Sequence, residues 1–221
     1  TEAQKYIQSL GFGTTFRPIN RTSQAIRIGQ LGQDNSFAID KNGEVRFGKG
    51  GVDDAEDAEV ILHEYGHAIH FSQSAKFYSS VESGSIGEGF ADYWAATVSN
   101  VIAPTADPAC IADWDSTSYS TDNPPCLRRL DSAKHYPENL TGEVHDDGEI
   151  WSAALWQIRG AITAAKADTV ILQHHFLLTP DASFNQAANA LVAAAINLGY
   201  NPPTVKAIRT VLQNRGFTVT L

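Results

Sequence analysis

From Ala25 to Phe47 apolar and polar residues follow a period close to two, the mark of half-buried strands. Ala25-Ile26-Arg27-Ile28 alternates, and Phe37-Ala38-Ile39 faces Val45-Arg46-Phe47 across Asp40-Lys41-Asn42-Gly43-Glu44. Asn42-Gly43 is a strong signal for a tight hairpin turn. Gly48-Lys49-Gly50-Gly51 then breaks the strand, and from there the apolar spacing becomes helical. Asp53 or Asp54 can cap a helix running to about Ser72, with acidic residues crowding its positive end. Further helices are predicted from Ser85 to about Val98, Asp147 to about Ala165, Thr169 to Leu178, Phe184 to Leu198 and Pro202 to Arg215. Gly199 and Pro202 punctuate the last two. Strands first and helices afterwards predict an α+β fold, a small N-terminal antiparallel sheet with a hairpin packed on a mainly α-helical C-terminal lobe. One domain is expected over residues 1–221, β-rich over 1–52 and mainly helical over 53–221.

Composition narrows the classes. A chain of 221 residues can bury about 70% of its unfolded surface, enough for a full core. Its 43% hydrophobic and 19% charged content is that of an ordinary globule, and no apolar run is long enough to span a membrane. A net charge of −9 leaves no basic stripe for phosphate backbones and argues against nucleic acid as a partner. The chain contains no Met, so Thr1 is expected to follow processing or excision rather than to mark a translation start. Any signal peptide would lie upstream.

Cys110 and Cys126 lie in a stretch rich in Pro, Asp, Ser and Thr with no helical or strand period. A disulfide there would staple an otherwise unsupported loop and contribute about 3 kcal/mol in the chain-entropy picture. The alternative is a pair of reduced thiols in a cytosolic protein. Two thiolates cannot by themselves fill a tetrahedral zinc shell.

The chemistry is densest at His63-Glu64-Tyr65-Gly66-His67. Histidines one helical turn apart share a face, so both imidazoles can reach one metal ion. Glu64 beside them suits a general base acting on a metal-activated water. The bland reading is a helix with two satisfied histidines and a solvated glutamate, so a third ligand must come from elsewhere. A metzincin is excluded, because His70 and Gln73 stand where that class continues with Gly and His. Glu88, in Gly87-Glu88-Gly89-Phe90-Ala91-Asp92, opens the next predicted helix, and an antiparallel return would bring it back beside the histidines. Asp92, one turn on, could accept the second ring proton of a ligating His.

With these residues in place the chain resembles the catalytic region of thermolysin-like gluzincin peptidases, and in wording most resembles the fungalysins. That family pairs His-Glu-x-x-His with a downstream Glu-x-x-x-Asp, and Gly-Glu-Gly-Phe-Ala-Asp is similar to its version. Glu143-Val144-His145 resembles the family's Glu-Val-His, which implies that His145 stabilises the oxyanion. Tyr78 falls where thermolysin-like enzymes place a tyrosine that donates to the same oxyanion. Leu127-Arg128-Arg129 resembles an element whose first Arg binds a substrate carbonyl, which implies Arg128 rather than Arg129. Asp34-Asn35-Ser36-Phe37-Ala38 resembles the edge strand that holds extended substrate, which implies that Asn35 and Ser36 act by strand addition. The run from Phe184 to Phe217 resembles the closing helices. Taken alone, Tyr78 would be an ordinary core or surface residue and the arginines part of a solvated face.

Three positions depart from the pattern. Gly66 stands where relatives carry Thr. Leu140 occupies the place of an Asp that orients the oxyanion His in thermolysin-like enzymes, leaving Glu143 or another group to orient His145. Ser99 replaces a calcium carboxylate, so a thermolysin-type double calcium site is not expected.

The resemblance implies a secreted zinc-dependent endopeptidase and zymogen with a zincin fold. One Zn2+ would be held by His63, His67 and Glu88, with Glu64, Tyr78 and His145 as catalytic groups. The expected partners are a protein or peptide substrate and a propeptide, the expected state is a monomer, and an upstream lobe and propeptide are expected to be missing. The alternative from another class is a catalytically inactive peptidase-fold module for adhesion or partner binding.

Overall fold

The structure is a computed structural model and describes the chain except for Thr22, Gly32, Gln33, Asp40, Lys41 and Asn42. The architecture is α+β. Two compact units form, one from Thr1–Ser72 with Ala91–Leu130 and one from Gln73–Phe90 with Asp131–Leu221.

In the first unit, helix α1 (Glu2–Ser9) buries Ala3 and Ile7. Strands β1 (Ala25–Leu31), β2 (Phe37–Ile39) and β3 (Glu44–Gly48) form a sheet in the order β1-β3-β2. β2 and β3 pair antiparallel, Phe37 opposite Arg46 and Ile39 opposite Glu44, as a hairpin requires. Gly43 takes the left-handed backbone (φ +58°) that the turn signal anticipates, while Asn42 lies outside the described residues. β1 joins β3 in parallel, so the sheet is mixed rather than wholly antiparallel, and β2 is an edge. Central β3 buries Val45 and Phe47. Its Glu44 is held by Arg27 at 2.6 Å and by Arg46. Ile26 and Ile28 of β1 stay exposed, so the alternation there marks the strand without marking a core face.

Helix α2 (Ala58–Gln73) starts later than expected. Asp53 precedes a short 3-10 turn at Asp54–Glu56, and the cap is Asp57, whose Oδ1 accepts from the backbone N–H of Glu59 at 2.7 Å and of Val60 at 3.3 Å. Helix α3 (Val81–Ile102) runs beyond the predicted Ser85–Val98 at both ends. Its start is fixed by Ser80 and Ser83, each hydroxyl accepting from the other's backbone N–H. That reciprocal cap uses Ser where Glu or Gln is usual, which hides it from a motif search. Strands β4 (Cys110–Ile111) and β5 (Arg128–Arg129) pair antiparallel, and Cys110 is disulfide-bonded to Cys126 with Cα atoms 5.4 Å apart.

The second unit is built on helices α4 (Val144–Ile162), α5 (Ala164–His174), α6 (Phe184–Asn197) and α7 (Pro202–Asn214). The helix predicted over Asp147–Ala165 begins three residues earlier, and Thr163 (φ +98°) breaks it from α5. Ser183 and Gln186 form a capping box on α6, and Asn201 caps α7 ahead of Pro202. Trp151, fully buried on α4, packs against Phe184 and Phe217 at centroid distances of 6.2 and 5.5 Å. Burying such rings supplies the largest apolar area per residue. Among the described residues no helix is long and apolar enough to cross a membrane.

Candidate metal centre

Helix α2 carries His63 and His67 one turn apart on a buried face. Their Nε2 atoms stand 3.1 Å from each other. Nδ1 of His63 donates to Oδ1 of Asp92 at 2.8 Å, which assigns the ring hydrogen to Nδ1 and makes Nε2 the nitrogen that carries a lone pair. Glu64, the next residue, is buried at 5% exposure. This placement depends on a close approach of α2 to α3. A side chain at Gly66 would put its Cβ 3.0 Å from the Cα of Ala91, so the glycine that costs helix propensity is what lets the backbones meet where a Thr would clash.

Asp92 is fully buried and accepts from Arg128 through Nε at 2.7 Å and Nη2 at 2.8 Å as well as from His63. Burial would raise its carboxyl, but the Arg128 guanidinium and the His63 N–H outweigh burial and hold it well below the usual carboxylate range. Successive residues of a strand point to opposite faces. Arg128 on β5 therefore reaches Asp92, whereas Arg129 pairs with Asp107 at 2.9 Å.

Glu88 lies one turn before Asp92 on α3, between two glycines set by close packing. A Cβ on Gly87 would sit 2.2 Å from the hydroxyl of Tyr78, and one on Gly89 would sit 2.4 Å from the carbonyl oxygen of Gly148 on α4. Gly148 reciprocates, since a Cβ there would be 3.0 Å from Cβ of Glu88. Tyr78, in the left-handed region (φ +74°), thus lies directly over Gly87. Nε2 of His145 comes within 3.6 Å of Oε2 of Glu88, and Nδ1 of His145 is 2.7 Å from Oε1 of Glu143. Leu140 leaves open what orients His145, and the group paired with its Nδ1 is Glu143. The preceding turn is fixed by buried Asp147, which accepts from the backbone N–H groups of Thr141 at 2.7 Å and Gly142 at 3.0 Å. Sequence reading took Asp147 only as a helix start, because a cap and a turn anchor look alike in one dimension.

His63 and His67 offer buried ring nitrogens in the first unit, and Glu88 offers a buried carboxylate in the second. Tetrahedral ligands 2.0–2.1 Å from zinc stand about 3.3 Å apart, close to the 3.1 Å between the two Nε2 atoms. Two imidazoles and a carboxylate form the donor set of a zinc site that keeps one position open, so these residues fit the ion. Asn35 is exposed and lies two residues before edge strand β2. Ser36 turns inward, its hydroxyl donating to Asp54 and accepting from the Gly48 N–H at 3.4 Å.

Residues 48–214 match the model of the fungalysin metallopeptidase family (M36). The chain is 28% identical over 123 residues to an extracellular metalloproteinase, mep, of Aspergillus terreus, covering 48% of this chain and 18% of that protein. It is 22% identical over 126 residues to extracellular metalloproteinase 3 of Arthroderma gypseum, covering 51% and 19%. Its fold is similar to that of the precursor of protealysin, a metalloproteinase from Serratia proteamaculans, with a TM-score of 0.72, 17% identity and coverage of 98% of this chain and 76% of that one. The chain belongs to the fungalysin metallopeptidase family. Its matched part spans less than a fifth of the length of these curated relatives.

Proposed function

We propose that this chain is the catalytic region of a secreted zinc-dependent endopeptidase. The observation that carries the reading is the facing pair of Nε2 atoms on His63 and His67, with Nδ1 of His63 fixed by Asp92. His63, His67 and Glu88 would hold zinc, which when bound polarises a carbonyl and lowers the pKa of water to about 7.

The chain's own residues do the remainder. Glu64 takes a proton from the attacking water and passes it to the leaving amine, so one buried carboxylate acts first as base and then as acid. His145 donates from Nε2 to the developing oxyanion while Glu143 holds its other nitrogen, and the hydroxyl of Tyr78 donates to the same oxygen. Asp92 keeps the His63 ring in place and pairs with Arg128, whose guanidinium would meet a substrate carbonyl. Edge strand β2, with Asn35 just before it, binds extended peptide through main-chain hydrogen bonds, which suits cleavage within a chain. The extracellular relatives support secretion, and the precursor neighbour supports a propeptide.

The test is cleavage of unfolded casein with and without a chelator, alongside Glu64→Gln. Wild type should be chelator-sensitive, and Glu64→Gln should keep its metal while losing nearly all turnover. A fully active Gln variant would sink the mechanism, and a metal-loaded but inert wild type would favour a binding module.

A further inference from the structure

Away from the histidines, three carboxylates converge in the first unit. Asp34 precedes β2, Asp54 opens the 3-10 turn before α2, and Asp115 lies in the loop closed by the disulfide. Each offers an oxygen within 4.8 Å of the others. Asp54 and Asp115 are 3% and 6% exposed, whereas Asp34 opens to solvent.

One oxygen of each is engaged. Oδ2 of Asp54 accepts from Ser36, Oδ2 of Asp115 accepts from Tyr119 at 2.9 Å, and Oδ2 of Asp34 accepts from Ser118 at 3.3 Å. The opposite oxygens, Oδ1 of Asp54 and Oδ1 of Asp115, are buried and have no hydrogen-bond partner. Among the described residues no Lys or Arg forms an ion pair with any of the three. Two orphaned carboxylate oxygens at one place are costly unless something positive fills the space. The local backbone is shaped around the cluster. Gly51 is left-handed (φ +61°), and a Cβ there would meet Oδ2 of Asp34 at 2.6 Å and Oγ of Ser118 at 2.5 Å.

We propose that Asp34, Asp54 and Asp115 form a calcium site. An all-oxygen set of anionic donors selects a hard divalent cation. Calcium, with Ca–O distances of about 2.3–2.6 Å and tolerance for water and irregular geometry, suits a cup built from three loops and open on the Asp34 side. The ion would clamp the edge strand, through Asp34 and the Ser36–Asp54 bond, to the disulfide loop. The site uses neither the histidines nor Glu88 and does not depend on the peptidase reading.

The experiment uses the full chain, zinc-loaded and then freed of calcium by passage over chelating resin, with calcium chloride as the only added ligand. Equilibrium dialysis should find one calcium per chain, and a hundredfold excess over Kd should raise Tm by about 5–10 °C. Asp54→Asn and Asp115→Asn should abolish both responses. In calcium-free buffer these variants should melt no lower than wild type, because each removes a charge from the repelling cluster. Asp107→Asn, outside the cup, should keep the full response. Should the two buried variants not fold, Asp34→Asn reads the same site from its exposed side and should weaken calcium at least tenfold. No bound calcium in wild type, an unaltered response in the cup variants, or an equal loss in Asp107→Asn would overturn the proposal.

Discussion

Oε1 of Glu143 holds Nδ1 of His145 at 2.7 Å, while Oε2 of the same carboxylate accepts from the backbone N–H of Asp146 at 2.8 Å. One side chain therefore caps α4 and sets the ring two residues on. The carboxyl is drawn below its usual range: the bonds from His145 and the backbone outweigh the opposing effect of burial. Glu143→Gln can serve only one of these partners well, and kcat on a peptide should fall on the order of tenfold with KM little changed. Glu143→Ala should in addition lose the cap, worth about 1 kcal/mol, and lower Tm by about 2–4 °C. Unchanged kcat in both variants would mean that His145 is positioned by something else.

Asp92 satisfies a histidine and an arginine at once, in a fully buried place. Asp92→Ala would remove a buried carboxylate partner of the Arg128 guanidinium, whose side chain is only 12% exposed, at a cost of about 3–5 kcal/mol. It would also free the His63 ring, weakening zinc by about 10–100-fold. Urea unfolding measures the first effect and chelator competition the second. A variant that loses stability but keeps zinc affinity would separate the two roles.

The two glycines flanking Glu88 should differ in tolerance. At Gly87 the added methyl meets the far end of the Tyr78 ring, which can swing away, whereas at Gly89 it meets the backbone of α4. Gly89→Ala is expected to destabilise by about 1–3 kcal/mol. Gly87→Ala should cost less stability yet reduce kcat by displacing the Tyr78 hydroxyl. Chemical denaturation and steady-state kinetics on the pair give the comparison, and equal stability losses would contradict it.

His174 on α5 is fully buried beside Trp151, at a centroid distance of 5.9 Å, and Nδ1 donates to the Ile171 carbonyl. Burial lowers its pKa to about 4, against a weaker raising effect of that bond. The unfolded chain, with an ordinary His pKa near 6.5, therefore binds a proton that the native state refuses between roughly pH 6.5 and 4. Stability from this group is present above about pH 6.5 and is lost as pH falls, by up to about 1.4 kcal/mol per pH unit. His174→Asn should flatten that slope in denaturant melts taken at pH 4.5, 5.5 and 7. Parallel slopes in wild type and variant would refute the assignment.

The legible part of this protein is its chemistry. His63, Glu64 and His67 declare themselves because a helix of 3.6 residues per turn converts their spacing into a shared face. Glu88 and Asp92 follow by the same rule. The hairpin signal at Gly43 and the caps at Ser183 and Asn201 are likewise local, since each depends on bonds to backbone a few residues away. Their energies do not wait for the rest of the chain.

Other features lie beyond the reach of local sequence. Nothing in the spacing of Ala25–Leu31 says that β1 pairs parallel with β3, because strand order depends on contacts distant in sequence. The partner of Asp92 could have been Arg128 or Arg129 until the pairing of β4 with β5 fixed which face each arginine takes. Gly66, a weakness by helix propensity, acquires its reason only when Ala91 arrives 3.0 Å from its missing Cβ. In sequence Asp54 reads as a possible helix cap and Asp34 as part of an edge strand, and nothing in the spacing links either to Asp115. Only tertiary structure brings them together and buries two of them with one oxygen each left without a donor, because the cost of orphaned charge depends on what surrounds it in space.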